Sequence, residues 1–321
     1  MMYRLIIIGF LLLISTASSY AAEEKEPEQD RSSFPVLKEE DIPTNLKFIN
    51  LGIVKKVIDP YRMELDDGRI IYLAGIDVPD MDSYEAGPVS VAAKKLLSDL
   101  FVGRNVRIYQ LRQNTEARIN RMDQHMAYII DEKDNIWAQG ALLSRGLARV
   151  HTTMLYRDLA SEMLALEKQA RQDTQNEEDT GEKEKPVNLW HNEENQIYTP
   201  ETVLDAPHRF QIVEGEILKV ATVKNTIYLN FGADWKKDFT VTMDSTARRL
   251  FSKEGLNPLS WTGKTVRVRG WIDEYNGPYI ELDHPQRIEF IEPTDSLQNE
   301  PSNTPLKEPD NALPDAFEHQ R

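Results

Sequence analysis

The chain has 321 residues, 40% of them hydrophobic, with 53 acidic against 38 basic side chains and a formal net charge of −15. That is enough apolar content for two cores of ordinary size, and the acidic balance disfavours a sequence-independent grip on a polyanion such as nucleic acid. With no cysteine in the chain, disulfides, thiolate metal sites and cysteine nucleophiles are excluded.

Residues 1–21 read as a secretory signal peptide. Met1 to Arg4 form a short positive region, Leu5 to Ile14 an apolar run, and Ser19-Tyr20-Ala21 a small-x-small cleavage site, after which the chain turns polar. The apolar run falls short of the roughly 20 residues that a spanning helix needs. The expected location is therefore periplasmic or secreted, with membrane attachment only if the signal segment is retained. Residues 22–45 are acidic, contain proline and lack an apolar period, so they read as a disordered tether.

Order is expected from Leu46. The run LGIVKKVIDPYRMELDDGRIIYLAGI alternates apolar and polar residues and places Asp67-Gly68 between its last two segments, which predicts a β-meander with a hairpin. In GPVSVAAKKLLSDLFVGR, Pro88 suits a first helical position, Val91, Leu96, Leu97 and Leu100 are its apolar residues, and Gly103 ends the helix. NVRIYQL and MAYIID read as strands separated by the polar loop NTEARINRMDQH. Ala138 to Arg145 predicts a short helix closed by Gly146. LYRDLASEMLALEKQARQ predicts a longer one with Leu155, Leu159, Met163 and Leu166 on its core face.

Residues 171–186 break this pattern with charge, glycine and proline, as an exposed insertion or frayed helix end before Asn188-Leu189-Trp190. After a linker at 193–209, residues 210–292 suggest five short strands and one helix, with a hairpin at Asn276-Gly277 and the makings of a small OB-like barrel. Residues 293–321 are rich in proline, asparagine and acid and read as a disordered tail.

Several of these segments, taken in order, carry a resemblance. "IDP…ELDDGRIIYLAGIDVPD", "GPVSVAAKKLL", "MAYII" and "WAQGALLSRGLARV" resemble the staphylococcal-nuclease-like, or thermonuclease-like, domains, here over residues 46–192 with 171–186 as an insertion. The resemblance implies an OB-type five-stranded barrel with three helices, giving a mainly β fold with α, and calcium-dependent hydrolysis of phosphodiester bonds in DNA and RNA. The whole chain also resembles a two-domain type of exported proteobacterial protein, whose second domain matches here from Phe210 to Glu292.

In that family, calcium and an attacking water sit beside the barrel, held by acids, while two arginines meet the phosphate. Calcium wants six to eight hard oxygens at roughly 2.3 to 2.6 Å, a carboxylate can take the water's proton, and guanidinium groups stabilise the developing phosphoryl charge. The resemblance carries these roles over unevenly. The motif Asp-Gly-Asp-Thr reads Asp59-Pro60-Tyr61-Arg62, so Asp59 is kept and Tyr61 replaces a calcium ligand. Tyr72 stands where the first arginine belongs. Asp77 matches the second ligating aspartate, and Asp80 replaces the glutamate that serves the water, one methylene shorter.

The second arginine position holds Gln124, with Asn120 and Met122 for its neighbours, and only a loop shift would bring Arg121 or Arg118 in as substitutes. One such arginine is worth about 10³ to 10⁵ in rate. The expectation is therefore a degenerate active site with weak or no nuclease activity and a binding or assembly role, a protein partner being plausible; the alternative is an active calcium-dependent phosphodiesterase. Asp59, Asp77 and Asp80 are either a weak calcium site of millimolar affinity or a solvated acidic loop.

The six histidines show no pairing at zinc-ligand spacing. In the second half, Phe231, Trp235, Phe239, Trp271, Tyr275 and Tyr279 interleave with Lys236, Lys237, Arg267 and Arg269. Such strips can stack single-stranded nucleic acid. The acids Asp273, Glu274, Glu281 and Asp283 beside it favour the plainer reading, in which Phe239 and Trp271 are core.

Overall fold

The computed structural model describes residues 30–79, 86–180, 186–191, 197–205, 209–234 and 236–292. The expected signal peptide, the start of the expected tether (residues 22–29), the acidic tail and Asp80 lie outside those residues. Among the described residues, no helix is long and apolar enough to cross a membrane.

The first half is a closed five-stranded barrel. Its strands are β1 (Leu46–Asp59), β2 (Arg62–Leu65), β3 (Ile70–Leu73), β5 (Asn105–Leu111) and β6 (His125–Asp131), in the order β1-β2-β3-β6-β5. A short β4 (Ile76–Asp77) pairs outside the barrel with β7 (Arg149–Val150). The 14-residue β1 serves two neighbours, β5 with its first half and β2 with its second. Register shifts along it bend the strand enough to close the sheet on itself. The Asp67-Gly68 hairpin forms as expected, with Gly68 at φ +86°, a value favouring glycine.

Among the described residues, α1 (Pro88–Phe101), α2 (Ala138–Ser144) and α3 (Ala160–Thr180) contribute to the same core as the barrel. Pro88 opens α1, and Leu96, Leu97, Leu100 and Phe101 bury its inner face, whereas Val91 points to solvent. Leu159 and Met163 are buried as the stripe predicts, but Leu155 precedes α3 and is exposed, its place in the core taken by Tyr156.

Two boundaries differ from expectation. Residues 30–45 are not a free tether: Phe34 and Leu37 are each 4% exposed, Val36 bridges to Ile136, and Leu37 N–H donates to the Asn135 carbonyl at 2.9 Å. Arg31 adds ion pairs to Asp131 and Asp134. The 171–186 stretch is likewise helical through Thr180, because the Arg171 guanidinium reaches Glu167 and lies over the Trp190 ring, while Thr174 is buried. Leu189 and Trp190 then close the first core.

The second half has its own core, and its topology is not a closed five-stranded barrel. Among the described residues there are eight strands and the helix α4 (Ser245–Lys253). β9 (Lys219–Val223), β10 (Thr226–Asn230), β11 (Thr240–Met243), β13 (Asp273–Glu274) and β14 (Pro278–Glu281) form one sheet. β8 (Phe210–Glu216), β12 (Thr265–Trp271) and β15 (Ile288–Phe290) form another. Turns within the long apolar runs, such as the one at Lys224 with φ +51°, cut the expected strands into shorter ones. The Asn276-Gly277 hairpin has both central residues at positive φ, 54° and 90°, as a two-residue turn demands. Part of the expected linker packs here too: Tyr198 bridges to Val213 and Val203 is buried in this core.

Candidate functional site

The antiparallel pairing of β4 with β7 sets Asp77 opposite Arg149. Arg149 Nε and Nη2 donate to Asp77 Oδ2 at 3.1 and 2.7 Å, and Nη2 also donates to the Phe210 carbonyl at 3.0 Å. The guanidinium is nearly enclosed, with Arg149 only 5% exposed. Sequence reasoning missed this residue. Nothing local in Gly146-Leu147-Ala148-Arg149-Val150 announces a partner 72 positions away.

Asp59 ends β1, and its Oδ1 accepts the Tyr61 N–H at 2.9 Å, which fixes the turn into β2. Its Oδ2 is gripped by the Arg62 guanidinium. Tyr61 then reaches toward β4. Its hydroxyl accepts the Val78 N–H and lies 3.1 Å from the Val78 carbonyl and 3.3 Å from Asp77 Oδ1, the two acceptors for its own proton. Burial, reinforced by the Asp77 charge, pushes the phenol far above its ordinary pKa, so it stays a neutral donor. Tyr72, on β3 across from Arg62, stacks on Tyr61.

Gln124 is used elsewhere. Its side chain accepts from Asn120 Nδ2 at 2.9 Å, while Asn120 Oδ1 takes the N–H groups of Met122 and Gln124 at 2.9 and 3.0 Å, so the pair closes the loop before β6. Neither substitute arginine reaches Asp77. Arg118 donates to the Leu111 and Arg112 carbonyls at 2.6 and 3.1 Å, and Arg121 is exposed on the loop. The guanidinium that holds Asp77 is that of Arg149.

The described residues do not fit a calcium ion. Asp59 and Asp77 each already hold an arginine, and the position between them presents a half-buried neutral phenol. Among the described residues, no group of three or more histidine, aspartate or glutamate side chains converges to hold a metal. Calcium prefers more anionic oxygens than this arrangement frees.

The Asp77 edge continues into a junction between the two halves, in which four consecutive residues take part. Arg149 holds the Phe210 carbonyl, the Val150 carbonyl accepts from Arg269 at 3.2 Å, the His151 ring packs on the Phe210 ring at 4.4 Å, and the Thr152 carbonyl accepts from Arg287 at 3.2 Å. Behind them lies a buried charge network. Glu167, fully buried, accepts the Val150 N–H, Arg171 Nη1 at 2.6 Å and Arg269 Nη1 at 3.0 Å. Burial alone would raise the Glu167 pKa, but Arg269 and Arg171 overcome it and hold the carboxyl down to about 2. Arg269 also pairs with Glu289.

The aromatic and basic residues of the second half do not form one strip. Phe231 and Phe239 are buried against each other, Arg267 pairs with Glu214, and Arg269 is buried in the junction. Trp271, expected in the core, is 48% exposed, and Tyr275 is exposed at 77%; Lys236 and Lys237 are exposed, while Trp235 lies outside the described residues. Of the histidines, His284 is buried in the junction, His125 and His191 are half-buried, and His208 and His319 fall outside the described residues.

No protein-family model matches the chain. No curated protein matches it at a significant level either.

Proposed function

We propose that the chain is an exported protein whose first half is a nuclease-like, OB-type barrel with α1 to α3, and whose nuclease pocket has become part of the seat for its second half. On this reading the protein has weak or no nuclease activity and works by binding or assembly. One observation carries it: the guanidinium of Arg149 bridges the Asp77 carboxylate and the Phe210 carbonyl of the second half. A carboxylate already neutralised by a buried arginine is a poor calcium ligand, because the metal would have to displace an enclosed, hydrogen-bonded ion pair. The substitutions agree with it. Tyr61 and Tyr72 fill the positions of a ligand and of a phosphate-binding arginine, and Gln124 spends its side chain on closing a loop. Export rests on the sequence of residues 1–22.

The test is an incubation of the mature protein with single-stranded DNA at about millimolar calcium, with a chelator control and an Asp77→Ala variant. The expected result is no calcium-dependent degradation in any arm. Degradation that requires calcium and disappears in Asp77→Ala would overturn the proposal and restore the phosphodiesterase reading.

A further inference from the structure

Thr152, His284 and Asp283 form a relay across the junction. His284 Nδ1 lies 2.7 Å from Asp283 Oδ1 and His284 Nε2 lies 2.8 Å from Thr152 Oγ1. His284 and Thr152 are fully buried. Arg287 straddles the relay, with Nη1 3.3 Å from Asp283 Oδ1 and Nε and Nη2 3.3 and 3.2 Å from the Thr152 carbonyl. The order hydroxyl, imidazole, carboxylate is that of a nucleophilic triad, but a hydroxyl with no exposed surface cannot meet a substrate. The arrangement is that of a closure between the halves.

Its hydrogen bonds define one protonation state. Burial works to raise the Asp283 pKa, yet His284 and Arg287 hold it below the ordinary range, so the carboxylate is ionised and accepts. The neutral ring therefore carries its proton on Nδ1 and leaves Nε2 to accept the Thr152 hydroxyl. We infer that His284 is a pH-responsive latch, holding the two halves together while its ring is neutral and loosening them when it is protonated. A proton on Nε2 turns the Thr152 hydroxyl from donor into acceptor and leaves its hydrogen without that partner. It also adds positive charge where the ring faces Arg287 and Arg157, the second of which bridges to Glu254 and Gln286. Asp283 is the acid that opposes them.

Burial first, then Arg287 and Arg157, hold the His284 pKa below its ordinary value, against the pull of Asp283. The sign follows. Docking is at full strength above the open-state histidine value of about 6.5 and weakens as the pH falls toward the docked value, by at most about tenfold per pH unit. His151, the neighbouring junction imidazole, is held down to about 4 by burial, and faces Asp77, Arg287, Arg149 and Asp283. A comparison that changes only His284 leaves its contribution constant.

The chain has no cysteine, so Lys94→Cys on α1 and Thr246→Cys on α4, both exposed positions, allow specific dye labelling of the full chain. Energy transfer is then followed from about pH 8 to about pH 4.5 in this background and with His284→Gln added. The amide oxygen of glutamine can still accept the Thr152 hydroxyl but takes up no proton. The expected result is transfer that falls below about pH 6.5 with His284 present and stays level in the glutamine variant. In parallel, NMR titration of the His284 ring in the unsubstituted chain should give a midpoint matching the loss of transfer. That measurement decides the matter if the variant does not fold. Transfer unchanged down to the lowest pH, equal loss in both proteins, or a ring midpoint unrelated to the transition would overturn the latch.

Discussion

Tyr61 and Tyr72 stack with ring centroids 5.4 Å apart and planes 7° from parallel, in positions where the resemblance expects an aspartate and an arginine. A charged pair facing solvent, metal and phosphate would gain from an open pocket, whereas a stacked pair gains from a closed one. Tyr61→Phe keeps the stack but strands the Val78 N–H that the tyrosine hydroxyl accepts. We expect a loss of about 1–3 kcal/mol of stability in urea unfolding, the usual penalty for a buried unsatisfied donor. Tyr61→Leu should lose about 0.5–1.5 kcal/mol more by removing the ring pair. Equal stability of the Tyr61→Phe variant and the unsubstituted protein would show that the hydroxyl's bonds contribute nothing net.

Glu167 and Arg269 come from opposite halves and meet with no solvent on either side chain. Removing one partner of such a pair costs about 3–5 kcal/mol, because the other charge stays buried, while replacing both by apolar residues is far milder. Glu167→Gln should therefore lose about 3–5 kcal/mol in urea unfolding of the full chain, because Arg171 and Arg269 are both left facing a neutral amide.

The same carboxyl predicts an acid limit to stability. Its folded pKa, about 2, lies below the ordinary 4.5, so its contribution is complete above the unfolded value and is lost as the pH falls through the folded one. The loss amounts to about 3 kcal/mol between about pH 5 and pH 2. Comparing unfolding free energies of Glu167→Gln and the unsubstituted chain across that range checks it, since the gap between them should narrow at the acid end.

The strands and helices of the barrel were legible because they follow local rules: alternation in β1 to β3, Pro88 opening α1, and Gly68 and Gly146 at positive φ. What occupies the Asp77 carboxylate was not, because Arg149 meets it through the pairing of two two-residue strands far apart in the chain. The partner of Arg269 was hidden for a related reason. In a strand reading Arg267-Val268-Arg269-Gly270, a basic face exposed to a polyanion and a basic face buried against Glu214 and Glu167 have the same sequence. The two-sheet topology was hidden in the same way, since runs of alternating residues do not say which strands are neighbours.

Phe34 tests the other misjudged segment. An acidic, proline-containing stretch hides two anchors, and Phe34 sits in the core with the Arg145 guanidinium 4.6 Å above its ring. Phe34→Ala should lower unfolding free energy by about 3 kcal/mol, the low end for deleting a buried aromatic, and proteolytic cleavage near residues 30–45 should become faster. An effect under about 0.5 kcal/mol, typical of surface substitutions, would mean that these residues behave as a tether after all.

Calcium supplies the last expectation. A millimolar site like those of extracellular modules would stabilise the protein by RT ln(1 + [L]/Kd), which at about tenfold excess is roughly 1.4 kcal/mol. For a domain of this size that raises Tm by roughly 3–5 °C. Because Asp59 is held by Arg62 and Asp77 by Arg149, an ion entering here would first have to break a buried pair that also secures Phe210. We expect calcium at about 10 mM to move Tm by less than about 1 °C beyond an equal concentration of magnesium, which controls for ionic strength. A calcium-specific rise of several degrees that vanishes in Asp77→Asn would show that the acids do bind the ion, and that Arg149 yields to it.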